Sequence, residues 1–104
     1  MIVELARLKI KPGKGAEAEQ ALREMAEAVE AQEPGVLVYL SHRSQKHPSE
    51  IVFFEIYADE DAYSAHFETP HIVRWKANLG PVFDPGSLEV ERVDRVTGFS
   101  RPPA

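Results

Sequence analysis

The chain has 104 residues, of which 43% are hydrophobic, and a formal net charge of −5 at pH 7 with a pI near 5.3. These values are typical of one small globular domain, and they argue against nucleic-acid binding, which requires a basic face. The chain has no cysteine, no apolar run of the ~20 residues that a membrane span needs, and no signal-like leader, so we expect a cytoplasmic protein with neither disulfides nor thiolate metal sites.

The hydrophobic pattern predicts alternating strands and helices. Apolar residues three and four positions apart, such as Leu22, Met25 and Val29, indicate an amphipathic first helix. Asp59 is a suitable N-cap for the second helix, and Thr69-Pro70 is suitable for starting a third. The predicted strands cover residues 2–10, 36–43, 51–58 and 87–96, the predicted helices cover 16–32, about 60–67 and about 70–78, and the predicted loops cover 11–15, 33–35, 44–50 and 79–86.

The order β-α-β-β-α-β predicts a ferredoxin-like α+β fold with an antiparallel sheet and its helices on one face. We predict one domain over residues 1–104, with a core over 2–96 and a tail over 97–104. The third predicted strand is apolar on both faces. One face carries Ile51, Phe53, Glu55 and Tyr57, and the other carries Val52, Phe54, Ile56 and Ala58. Because helices cover only one face of the sheet, we expect a homodimer packed through the other; a monomer whose tail covers that face is the alternative.

Several short motifs resemble the antibiotic biosynthesis monooxygenase domain family, whose members form dimeric α/β barrels. The resemblance spans about residues 2–96. It is carried by the Lys-Pro-Gly turn at 11–13, the Glu-Pro-Gly helix exit at 33–35, Glu55-x-Tyr57, and Ala-His-Phe-Glu-Thr-Pro-His at 65–71. The resemblance implies the fold and a cofactor-independent monooxygenase, although this fold supports several activities. The heme-degrading relatives use an Asn on the first strand and a Trp where this chain has Tyr57, so heme chemistry is not implied.

The candidate catalytic residues are His66, Tyr57 and Glu55. Because imidazole in general titrates near neutral pH, a histidine such as His66 can move a proton or hold an oxyanion, unless it is simply a packed residue. Glu55 lies between two aromatic residues on its strand face, which should raise its pKa, unless it pairs with Arg7 or Arg43. Tyr57 shares that face.

The candidate substrate-binding residues are mainly aromatic, since a planar substrate needs apolar walls. They are Tyr39, Phe53, Phe67, His71 and Trp75. His71 has a second interpretation, as a capping or solvent-facing residue. His42 and His47 are weaker candidates. We predict no metal site, because the spacings His42-x4-His47 and His66-x4-His71 are not the i, i+4 spacing of one helical face.

No phosphate-binding loop, dinucleotide fingerprint or nucleophile elbow is present in the sequence, so we predict no organic cofactor. A deprotonated phenol can itself reduce dioxygen, and such chemistry needs only a base and an apolar pocket. The leading hypothesis is therefore a cofactor-independent monooxygenase that acts with dioxygen on a quinol or phenolic aromatic compound. The alternatives are an isomerase that enolises a small carbonyl compound and a non-catalytic dimeric binding protein.

Overall fold

The computed structural model describes residues 1–102, so the last two residues of the predicted tail lie outside the described part of the chain. None of the described helices is both long and apolar enough to cross a membrane. The elements, in chain order, are β1 (Ile2–Ile10), α1 (Gly15–Gln32), β2 (Val36–Arg43), β3 (Glu50–Tyr57), α2 (Glu60–His66), α3 (Pro70–Lys76) and β4 (Phe83–Val93).

The four strands form one antiparallel sheet in the order β2-β3-β1-β4. This arrangement confirms the predicted ferredoxin-like α+β fold. The register places Ala6 opposite Phe53 and Glu4 opposite Glu55, so that alternate residues of β1 and β3 share one face. That face, which includes Glu55 and Tyr57 as predicted, is the one that packs against the helices.

The core lies between the sheet and the helices. Its larger cluster joins residues of β1, α1 and β3 to the start of β4 and the residue before it, and a smaller cluster joins α1 to α3. The larger cluster contains Ala6, Leu8, Ile10, Ala18, Ala21, Ile51, Phe53, Val82 and Phe83, and the smaller contains Met25, Val29 and Ile72. Small residues on α1, such as Ala18 and Ala21, let this helix approach the sheet closely, and the two helices that follow β3 then cover the other end of the same face.

The start of β4 differs from the prediction. Residues 79–86 were expected to be a loop, and the strand was expected to cover 87–96, but β4 runs from Phe83 to Val93. Phe83 already pairs with Ile10, and the register then shifts between Arg7 and Lys9 of β1. Within this irregular stretch the backbone N–H of Lys9 donates to Ser87 Oγ at 2.8 Å. A proline is tolerated where the ladder is interrupted, because its missing N–H costs no sheet hydrogen bond.

Two capping residues and one glycine set the position of α2 and α3. Asp59 Oδ1 accepts a hydrogen bond from the Ala62 N–H at 2.8 Å, and Thr69 Oγ1 accepts one from the Ile72 N–H at 3.2 Å. The cap by Asp59 was predicted, and the start of α3 at Thr69-Pro70 was predicted from the proline alone. A side chain at Gly35 would place its Cβ 2.7 Å from Ala62 Cβ, so only glycine lets α2 approach the start of β2 this closely. As a result, His66 at the end of α2 lies over the sheet.

The opposite face of the sheet carries no helix and is largely apolar in the described residues. Phe54 lies between Leu5 and Leu40 in one cross-strand row, and Ile56 lies between Val3 and Val38 in the next. Leu40 is 50% exposed. The tail does not bury its own apolar residues on this face: Val96 and Phe99 are 94% and 80% exposed.

Candidate functional site

A cavity of about 140 Å³ opens between the sheet and the helices α2 and α3. Aromatic and aliphatic side chains form most of its wall, among them Tyr39, Phe53, Phe67 and Trp75. The polar groups in the wall are few and include Glu4, Glu55 and His66. An apolar hollow with a few converging ionisable groups is the usual form of a small-molecule site.

Glu55 is buried in the wall of this cavity, with 7% of its surface exposed. Burial raises the pKa of its carboxyl group to about 7; the hydrogen bond from Tyr57 acts in the opposite direction, and the charges of Glu4 and Glu33 add to the rise. The Tyr57 hydroxyl donates to Glu55 Oε1 at 2.5 Å. Glu55 therefore exists as a mixture of acid and carboxylate at neutral pH, which suits a group that must both give and take a proton.

Glu4 lies directly opposite Glu55 across the β1–β3 pair and is also buried, at 5% exposure. Its Oε1 accepts a hydrogen bond from the Tyr63 hydroxyl at 2.9 Å. The guanidinium of Arg92 stacks over the Tyr63 ring at 4.2 Å and pairs with Glu60 at 2.8 Å, which holds the tyrosine in place. Two adjacent carboxylates thus line one cavity, and one oxygen of each accepts a hydrogen bond from a tyrosine hydroxyl.

His66 and His71 meet on one carboxylate, that of Glu33 at the C-terminal end of α1. His66 Nδ1 lies 3.0 Å from both oxygens of Glu33, and His71 Nε2 lies 2.5 Å from Oε2. All three side chains are less than 10% exposed. A carboxylate accepts hydrogen bonds and donates none, so Nδ1 of His66 carries the hydrogen and Nε2 is the nitrogen with a free lone pair when the ring is neutral.

Several polar atoms of the cavity-lining residues have no hydrogen-bond partner among residues 1–102. They are His66 Nε2 and the second carboxyl oxygens of Glu4 and Glu55. Outside the wall, His71 Nδ1 is enclosed and likewise has no partner among these residues. The atoms of the cavity-lining residues are therefore available to a ligand.

Most of the predicted site residues lie at the cavity, and two lie elsewhere. His66, Glu55, Tyr39, Phe53, Phe67 and Trp75 line it. Tyr57 does not; it is fully buried behind Glu55, so any role it has is to position that carboxyl group. His71 was predicted to bind substrate, or to cap a helix or face solvent, but it is only 3% exposed, contacts Glu33 Oε2 and is not part of the cavity wall. The reason is that the first turn of α3 points towards α1.

The suggested pairing of Glu55 with an arginine is wrong. Arg7 pairs with Glu50 at 2.7 Å and Arg43 with Glu19 at 2.8 Å, both near the surface. Glu55 instead has a tyrosine hydroxyl as its partner, and no cation offsets its burial.

Glu33, His66 and His71 also bear on metal binding, because their ligand atoms lie within 4.8 Å of one another. The spacing of the two histidines along the chain did not indicate that they lie close together, since it is the turn between α2 and α3 that brings them together. The ligands of a tetrahedral zinc site, with bonds of ~2.1 Å, lie about 3.4 Å apart. The 2.5–3.0 Å separations found here are those of hydrogen bonds. We therefore interpret the three residues as a hydrogen-bonded triad, and the absence of a metal stays a prediction.

A larger, shallow hollow lies beside the turn after β1 and includes Lys9, Lys11 and Arg43. These side chains are exposed, and no buried ionisable group lines the hollow. Such a surface has none of the positioned acid–base groups that distinguish the cavity under α2 and α3.

Sequence reasoning missed Glu4 and Glu33 as site residues. Glu4 had a visible signal: it occupies the same strand face as Ala6, Leu8 and Ile10, so a charge stands where the pattern expects an apolar residue. Glu33 had no signal in the sequence beyond its place in the helix exit, because its partners come from two helices more than 30 residues away.

Comparison with known proteins gives a consistent result. A family model described as "Antibiotic biosynthesis monooxygenase" matches residues 1–78, a span that contains all the site residues described above except Arg92. No curated protein sequence matches the chain.

Solved structures extend the similarity to the whole fold. A Bacteroides thetaiotaomicron protein assigned to the antibiotic biosynthesis monooxygenases is 30% identical with a TM-score of 0.85, and the match covers 98% of this chain and 95% of that one. One from Caulobacter crescentus, assigned likewise, is 35% identical with a TM-score of 0.84, over 92% and 90% of the two chains. Rv0793 from Mycobacterium tuberculosis, at 22% identity and a TM-score of 0.82 over 95% and 98%, shares the fold.

Proposed function

The chain belongs to the antibiotic biosynthesis monooxygenase family, and we propose that it is a cofactor-independent monooxygenase acting on a quinol or phenolic aromatic compound. The observation that carries this proposal is the His66–Glu33 pair beside the cavity. A buried carboxylate fixes the tautomer of His66, which lines an aromatic-walled cavity, and its other ring nitrogen makes no hydrogen bond within residues 1–102. This is the arrangement of a general base whose protonated form is stabilised by a partner.

In the first step, His66 Nε2 takes the phenolic proton of the substrate. The imidazolium that forms is paired with Glu33, and it holds the phenolate by a charge-assisted hydrogen bond. Because the proton moves within the cavity, the net charge of the cavity does not change. The phenolate then gives one electron to dioxygen, and the two radicals combine to form a carbon–oxygen bond.

In the second step, Glu55 in its acid form gives a proton to the outer oxygen of the ring peroxide. The O–O bond breaks, and the departing hydroxide takes the proton held by His66 and becomes water. The proton of the ring C–H bond passes to Glu55. One quinol and one dioxygen yield one hydroxyquinone and one water, and both residues regain their starting states. The raised pKa of Glu55 supports this role, because it keeps a share of the carboxyl group protonated near neutral pH.

The same cavity disfavours the isomerase alternative for a phosphorylated or carboxylated substrate. Glu4 and Glu55 line it, and the basic residue in its wall, Lys76, is exposed. An anionic group would enter a low-dielectric site already occupied by like charges.

Oxygen uptake and product analysis test the proposal. Metal-free protein is mixed with a panel of quinols, phenols and anthrones, and dioxygen consumption is compared with hydroxyquinone formation. The expected stoichiometry is one to one, without hydrogen peroxide release. His66→Asn should abolish the uptake, whereas Glu27→Gln, at an exposed position on α1, should leave it unchanged. Uptake that His66→Asn does not change, or peroxide as the product, would contradict the assignment.

A homodimer through the helix-free face of the sheet is part of this proposal. The apolar rows around Phe54 and Ile56 support it, since a second copy would shield them from water. The absence of cysteine supports a reducing, cytoplasmic location.

A further inference from the structure

We propose that the cavity selects an uncharged, single-ring aromatic diol, and that Glu4 is the residue that enforces this selection. The inference rests on the proposed function only in taking the cavity as the substrate site. Three features lead to it: the size of the cavity, its unpaired acceptors and the sign of its charges.

The size of the cavity matches a ligand of one ring. Its volume of about 140 Å³ is close to the roughly 150 Å³ of an engineered apolar protein cavity that accommodates benzene. Leu88 and Val90 of β4 form its open edge and are 45% and 55% exposed. A compound of three fused rings would therefore leave most of its surface outside, in water, and gain little from the apolar wall.

The unpaired atoms of the wall require hydrogen-bond donors from the ligand. His66, Glu4 and Glu55 line the cavity, and within residues 1–102 His66 Nε2 and one carboxyl oxygen each of Glu4 and Glu55 have no hydrogen-bond partner. If a ligand covers a buried acceptor without donating a hydrogen bond to it, the acceptor loses its water and nothing replaces that interaction. This costs binding free energy, so a ligand without donors is disfavoured. The side chains of Glu4 and Glu55 begin about 5 Å apart, as cross-strand neighbours do. Two hydroxyl groups on one ring span such a separation, so one can meet Glu4 while the other meets Glu55.

The charges of the wall exclude anions. Glu4 has a neutral hydrogen-bond partner, Tyr63, and Arg92 contacts the tyrosine ring rather than the carboxylate. The pKa of the Tyr39 hydroxyl is raised, first by burial and then by the charges of Glu55, Glu33 and Glu4, which shows the sign of the field in the cavity. A neutral diol does not add charge to this field, whereas a carboxylate of the same size does.

Binding measured without turnover tests the inference. Under anaerobic conditions, calorimetry and the fluorescence of Trp75, which lies in the cavity wall and is the chain's one tryptophan, report binding of small probes. The probes are catechol, resorcinol and hydroquinone as diols, 1,2-dimethoxybenzene as a ligand of similar shape without donors, benzoate as the anion, and anthrahydroquinone as the three-ring compound. At least one of the three single-ring diols should bind at least tenfold more tightly than 1,2-dimethoxybenzene, benzoate and anthrahydroquinone.

Substitution of Glu4 gives a signature that a purely structural role would not produce. Glu4→Gln should weaken diol binding about tenfold, the difference between a charged and a neutral acceptor, and should strengthen benzoate binding. The control Glu27→Gln should change neither. Benzoate or anthrahydroquinone binding as tightly as the best diol overturns the inference, as does the lack of measurable diol binding at millimolar concentration. Diol binding without oxygen uptake would keep this inference and refute the monooxygenase proposal.

Discussion

Replacement of Glu55 by Gln should stabilise the fold at alkaline pH. The carboxyl group is buried and has a pKa of about 7 instead of the ordinary value of 4.5. Between these two values the unfolded chain releases its proton and the folded chain retains it, so the stability of the parent falls as pH rises from about 4.5 to about 7. At 1.36 kcal/mol for each pH unit, the loss is about 3 kcal/mol, and it is constant above the folded pKa.

Glutamine keeps the shape of the side chain and can still accept the hydrogen bond from Tyr57, but it does not ionise. Urea unfolding at matched protein concentration should therefore show Glu55→Gln and the parent within about 0.5 kcal/mol of each other near pH 4.5. Near pH 8 the variant should be more stable by about 2–3 kcal/mol. The other titrating groups are common to both proteins, so they cancel in the comparison, and Glu27→Gln controls for the loss of one surface charge.

The same substitution should lower the rate of oxygen uptake by about 10²–10⁴-fold, because the variant has no proton to give. In the parent, the rate should fall as pH rises through about 7, since the acid form of Glu55 is then lost. A variant that is less stable than the parent near pH 8, or a parent whose stability relative to the variant does not change between pH 4.5 and 7, would refute the reasoning.

Three further predictions concern His66, the helix-free sheet face and metals. His66→Ala should keep the fold and the dimer but lower the rate about 10²–10⁴-fold; a lower thermal midpoint with an unchanged rate would instead indicate a packing role. Phe54→Asp, in the centre of the helix-free face, should dissociate or unfold the dimer, and light scattering that finds a monomeric parent at micromolar concentration would reject the dimer. Dialysis against a chelator should leave the rate unchanged, and elemental analysis should find less than one transition metal ion for every two chains. A metal ion found at one per chain in the parent and absent from Glu33→Ala would show that the triad is a metal site.

The local pattern of the sequence determined the order of the elements, the two faces of β3, the cap of α2 and the start of α3. These features depend on neighbours within one or two turns, or on alternation along one strand, so they can be read without knowing which segments meet. The same alternation placed Glu55 and Tyr57 on the helix side of the sheet. Sequence reasoning failed at Pro85 and Gly86, where the register shift let a strand continue through residues that usually end one.

Only the tertiary structure decided which ionisable groups share the site. Glu33 ends α1, yet its partners His66 and His71 come from α2 and α3, and Glu4 meets Glu55 only because β1 and β3 are neighbours in a particular register. The spacing of the histidines along the chain gave no sign of this, since the turn between the two helices sets their separation. The raised pKa of Glu55 likewise depends on burial by several elements at once. Desolvation and charge are sums over everything nearby in space, and a one-dimensional pattern does not contain that sum.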